Sequence, residues 1–179
     1  MLDGLISRLQ EKKEDLLVTA PISNNMQKAN FNNNKVFIVH GHDDESKEKL
    51  ARFLGALNLD PIILHEQANE GKTIIEKFET YTEVAFAVVL LTPDDIGGKV
   101  KKPDKVLPRA RQNVIFELGF FIGKIGRNRV CALHKGNVEL PSDYHGILYL
   151  PMDESGGWKL LLARELKQIG LNIDLNAAI

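Results

Sequence analysis

Apolar positions along the chain change their period again and again after Lys35. KVFIVH (35–40) is a short, β-branched apolar run ended by Gly41, which predicts a strand. Leu50, Phe53, Leu54 and Leu57 follow at i, i+3, i+4 and i+7, one face of a helix. Asp43, Asp44 and Glu45 stand before that helix, where its dipole favours negative charge. PIIL (61–64) predicts a second strand, and Ile74, Ile75 and Phe78 a second helix. VAFAVVLL (84–91) has no polar side, as expected of a central parallel strand covered on both faces. Val114, Leu118, Phe121, Ile122 and Ile125 mark a third helix. RVCALH (129–134) and GILYL (146–150) predict the last two strands, and Trp158 to Ile169 the last helix, with Gly170 as its stop.

Five strands alternating with helices imply an α/β fold with a parallel sheet wrapped on both faces. The expected order is 2-1-3-4-5, flavodoxin-like, with ligands beyond the carboxyl ends of the strands at the switch between the first and third. Residues 1–34 stand apart. Leu2, Leu5, Ile6, Leu9 and Leu16 suggest a short amphipathic helix, and SNNMQKANFNNN an asparagine-rich linker. The division is therefore 1–34, helix and linker, and 35–179, the α/β domain.

Composition narrows the function classes. Net charge is −1 with neutral histidines, which disfavours wholesale nucleic-acid binding. The single Cys131 excludes an internal disulfide framework and fits a reducing compartment. The longest apolar run, 84–91, is far short of the roughly 20 residues that span a bilayer. The N-terminus has early charges and no apolar signal core, so the expected location is cytoplasmic.

Candidate chemistry gathers at three predicted strand ends: His40-Gly41-His42-Asp43, His65-Glu66-Gln67, and Thr92-Pro93-Asp94-Asp95. The first turn is not G-x-G-x-x-G and no complete phosphate-loop motif occurs, so a held dinucleotide and a phosphate-loop NTPase are disfavoured. His40, His42, His65 and His134 have no metal-motif spacing, and no metal is expected. The loop from Lys99 to Arg111 carries six bases against Asp104, a local charge of +5 that would attract an anion. Glu117, in RQNVIFELGFFIGK, lies about 40° from the edge of the apolar stripe at roughly 100° per residue. Half-burial would raise its pKa and the helix N-terminus would lower it. Residue chemistry alone leaves it either a structural acid paired with Arg111 or a lysine, or a functional one. Gly119 and Gly123 on the same helix suggest close backbone packing, within the chain or between copies.

Four stretches together resemble a known family: VFIVHGHD, EQANEGKTIIEKFETYTEVAFAVVLLTPDD, RQNVIFELGFFIGKIGRNRVCAL and ELPSDYHGILYLPMDESGGWKLLLARELKQIG. They resemble the bacterial TIR-like predicted nucleotide-binding proteins, which include TIR effectors of cyclic-nucleotide anti-phage systems. The resemblance spans about residues 35 to 175. It implies an NAD+ glycohydrolase that cleaves the nicotinamide–ribose bond, with NAD+ as substrate and no bound cofactor. It implies activation by homo-oligomerisation of TIR domains, and a cyclic-nucleotide sensor on the same or another chain. It places the essential glutamate at Glu117 and the pocket-shaping loop at His65 to Lys72. His40, Gly41, Gln67, Asp94, Arg111 and Asn113 are the expected substrate contacts, with Arg111 and the basic loop toward the pyrophosphate. Two other readings remain: a non-catalytic TIR-type nucleotide-binding or protein-interaction module, and a nucleoside deoxyribosyltransferase-like enzyme. The second shares the F-E-L-G pattern but has Arg111-Gln112-Asn113 where an acidic-glycine signature is usual.

Overall fold

A computed structural model describes residues 33–64, 76, 81, 83–102, 104–141 and 146–178. The expected helix over 1–34, the helix at 74–78 and the loop 65–72 lie essentially outside these residues. The elements run β1 (Lys35–Val39), α1 (Asp44–Ala56), β2 (Asp60–Ile63), β3 (Phe86–Leu91), β4 (Asp95–Gly98) and β5 (Val106–Arg109). Then follow α2 (Gln112–Ile125), β6 (Val130–His134), β7 (Leu148–Pro151) and α3 (Gly157–Gln168). Five strands form one sheet in the order β2-β1-β3-β6-β7, every pair parallel. Counting only these strands, that is the expected 2-1-3-4-5.

Strand alternation splits the core into two layers. Val36 and Ile38 of β1 and Phe86, Val88 and Leu90 of β3 face α1 and α3, where Leu50, Phe53, Leu54, Trp158, Leu162 and Leu166 are buried. Phe37 and Val39 of β1 and Ala87, Val89 and Leu91 of β3 face α2, through Val114, Leu118 and Phe121. All six residues of β3 are buried, because each face has a helix to cover it. Each fully buried large side chain contributes about 1.5–3 kcal/mol. The two layers carry different aromatic anchors. Trp158 meets Phe53 edge-on with centroids 5.2 Å apart, and Phe37 meets Phe121 at 4.7 Å. Arg129 donates to Ala85 O and Val84 O, at 2.8 and 2.6 Å, and so ties the start of β6 to the entry of β3.

Two expectations need correction. The stretch 99–111 is not simply a loop, because it contains β5, which pairs antiparallel with β4 in a hairpin outside the main sheet. Gly97, Gly98 and Pro108 hide this hairpin from a propensity reading. Gly97 has a packing reason, since a Cβ there would overlap the Arg109 guanidinium that crosses it. The second correction is at Gly123. A Cβ there would meet nothing within 4 Å, so close backbone packing does not account for it within the described chain.

Trp158 is the largest fully buried side chain and joins α3 to α1. Trp158→Ala should cost about 3–5 kcal/mol. Urea unfolding would measure this, and a loss under 1 kcal/mol would show that the contact carries little.

Candidate active site

Parallel strands whose connections leave to opposite faces open a crevice at their carboxyl ends. Here β1 leads into α1 on one face and β3 leads, through the hairpin, to α2 on the other. The carboxyl end of β1 supplies His40, Gly41, His42 and Asp43. Asp94 comes from the turn after β3, Arg111 from the start of α2, and Lys135 from the end of β6.

The contacts at this edge are specific. Thr92 Oγ1 donates to Asp94 Oδ2 at 2.8 Å, and that carboxylate lies against Gly41. A Cβ on Gly41 would overlap it, so a larger residue there would displace the Asp94 carboxylate from Thr92. His40 Nδ1 lies 2.9 Å from Gly41 O, so Nδ1 carries the hydrogen. Arg111 Nη1 lies 2.7 Å from His42 Nε2. The guanidinium can only donate, so Nε2 is the unprotonated nitrogen. That bond ties the entry of α2 to the turn after β1.

Asp43 is the N-cap of α1. Its Oδ1 accepts from Ser46 N at 2.9 Å and its Oδ2 from Ser46 Oγ at 2.8 Å. Lys135 Nζ donates to the same Oδ2 at 2.7 Å. Burial acts to raise the Asp43 pKa, but the hydrogen bonds from Lys135 and Ser46 outweigh it and hold the carboxyl below its ordinary value. The Asp43 carboxylate in turn raises the Lys135 ammonium. This pair links three structural elements, 92 residues apart in sequence.

Glu117 has the opposite environment. It sits in the second turn of α2, half-buried between exposed Phe116 and fully buried Leu118. No hydrogen bond or ion pair reaches it among the described residues, and Arg111 bonds His42 instead. The structural-pair alternative therefore finds no support there. Burial pushes the Glu117 carboxyl up to about 7 from 4.5. Between burial and the helix dipole, burial wins. Asn113 lies one turn earlier on the same helical face and is exposed.

The structure thus brings His40, Gly41, Asp94 and Arg111 to one sheet edge, with Asn113 and Glu117 on the helix that starts there. Gln67 lies outside the described residues. His42, Asp43 and Lys135 complete the edge. His42 and Asp43 adjoin Gly41 in sequence, and only the fold shows Lys135 beside them. No group of three His, Cys, Asp or Glu side chains suited to a metal ion occurs among the described residues.

The family model for the TIR domain of CAP12/Pycsar effector proteins matches residues 35–154. The chain belongs to this family. It is also 49% identical over 146 residues to the uncharacterized protein YuaY of Escherichia coli K12, covering 81% of this chain and 48% of that protein. It is 40% identical over 130 residues to protein tirC of Dictyostelium discoideum, covering 67% and 65%. The Pycsar effector protein PaPycTIR of Pseudomonas aeruginosa is 41% identical over 71 residues, 38% of this chain and 22% of that protein. The chain thus spans about half to two thirds of the length of the first two. No helix among the described residues is long and apolar enough to cross a membrane.

The half-buried acid has a stability consequence in this TIR domain. Its folded pKa is raised above the unfolded value, so the wild type is penalised as pH rises from 4.5 through 7. Glu117→Gln should be more stable than wild type at pH 8, by roughly 1–3 kcal/mol after discounting for partial exposure. The gap should close toward pH 4.5. Urea unfolding at both pH values tests this, and a gap independent of pH would contradict it.

Proposed function

We propose that this TIR domain is an NAD+ glycohydrolase effector with Glu117 as its catalytic residue. The observation that carries the reading is a half-buried carboxylate with no counter-ion among the described residues, on the helix that opens at the carboxyl-end edge of the sheet. An acid so placed is costly to the fold, and function is a reason to keep it. The family membership supports the reading: NVIFELG resembles the stretch that carries the essential glutamate of TIR effectors.

The reaction matches such a group. The bond between ribose C1′ and the pyridinium nitrogen breaks, and its electron pair leaves with neutral nicotinamide. Positive charge then develops on the ribose as an oxocarbenium-like centre. An ionised carboxylate with no other cation beside it stabilises that charge more than one already neutralised. Water adds to C1′ and its proton passes to the carboxylate or to solvent. The substrate brings its own leaving group, so no strong acid is required. Arg111, fixed by His42, and the lysines of the β4–β5 hairpin suit the pyrophosphate. His40, Gly41 and Asn113 line the approach to the ribose, while Asp94 acts by backing Gly41. Gln67 is assigned to the same pocket from the family motif. We assign the trigger to assembly of TIR domains and to a cyclic-nucleotide sensor on another segment or chain, and the setting to bacterial anti-phage defence.

Purified protein should release nicotinamide from NAD+, with a specific rate that rises with protein concentration or crowding. Glu117→Gln should lower that rate by on the order of 100-fold or more. In the free enzyme kcat/KM should rise with pH through about 7, because the ionised form is the active one. Equal release by mutant and wild type would remove Glu117 from the chemistry. No release under assembling conditions would overturn the hydrolase reading.

A further inference from the structure

Away from the strand ends, a cavity of about 290 Å³ opens between α1, α3 and the C-terminal turn Leu175–Ala178. It lies on the face of the sheet covered by α1 and α3, opposite the face that α2 covers. Lys49, Arg52 and Ala56 follow one another along one side of α1, and Lys159 projects from the first turn of α3. Phe53 and Ala178 supply the apolar floor, and no acid among the described residues lines the cavity. The side chains of Lys49, Arg52 and Lys159 make no hydrogen bond or ion pair among the described residues. The only specific contact of the Lys159 ammonium there is with the Phe53 ring, 6.0 Å from its centroid.

Three cations from two helices around one concavity repel one another unless an anion sits between them. We propose that this cavity is a second ligand site, for a small multiply charged anion of the pyrophosphate or phosphate-monoester class. Guanidinium and ammonium groups together match the charge and donor needs of phosphate oxygens. The volume is at the lower end of ligand pockets, which suits a small anion and leaves out a dinucleotide such as NAD+. The site is independent of Glu117, so it stands or falls separately from the hydrolase reading.

Trp158, the single tryptophan, packs on Phe53 and gives the site an intrinsic reporter. Inorganic pyrophosphate titrated into the full chain at low salt should change Trp158 fluorescence saturably, a readout local to this cavity. Arg52→Gln/Lys159→Gln should weaken binding about tenfold or more. Lys124→Gln/Lys167→Gln, exposed lysines at the ends of α2 and α3 outside the cavity lining, removes the same charge elsewhere and should leave this binding within twofold. Glu117→Gln should bind like wild type. No saturable change, or equal weakening by the two double variants, would overturn the proposal and leave only general attraction of an anion to a basic surface.

Discussion

The two-sided burial of β3 governs how the rest of this domain is arranged. A strand apolar on both faces must be covered twice, and the chain does so with α1 and α3 on one side and α2 on the other. Connections leaving β1 and β3 toward opposite faces open the edge where His40–Asp43 and Asp94 emerge. The same covering requirement turns α2 inward along Val114, Leu118 and Phe121. Glu117 stands beside that stripe. Its half-burial follows from the packing of β3.

Two carboxylates then meet different fates. Asp43 takes hydrogen bonds from Ser46 and Lys135, which outweigh its burial. Its place is structural: it caps α1 and joins β6 to the turn after β1. Glu117 has burial with no compensating partner among the described residues. A carboxyl near 7 can be ionised at working pH and still have charge to offer a developing cation. The environment thus divides the acids of this edge into a brace and a carboxyl raised toward neutrality. His42 and Arg111 set the entry of α2 with their hydrogen bond, so Arg111 is not spent on Glu117.

Much of this was legible in the sequence, for a physical reason. Runs such as VAFAVVLL, and the spacing of Leu50, Phe53, Leu54 and Leu57, are direct signatures of burial. The strand order follows from them and from the rules for parallel sheets. The β4–β5 hairpin was not legible, because glycines and a proline occupy its strands and no apolar alternation marks it. Lys135 was missed because its partner is 92 residues distant, and no local pattern encodes such a pair. For Glu117 the sequence showed two opposing influences, and only the packing around the side chain decides their balance. Gly123 has no packing partner within the described chain, because a Cβ there would face open space.

The most direct test of the account is the titration of the Glu117 side-chain carboxyl, followed by carbon-detected NMR with Glu117→Gln to assign the signal. The account predicts a midpoint near 7 in the free protein. A midpoint near the ordinary 4.5 would mean that the carboxyl is solvated or paired, and would contradict the claim that uncompensated burial equips this residue for chemistry.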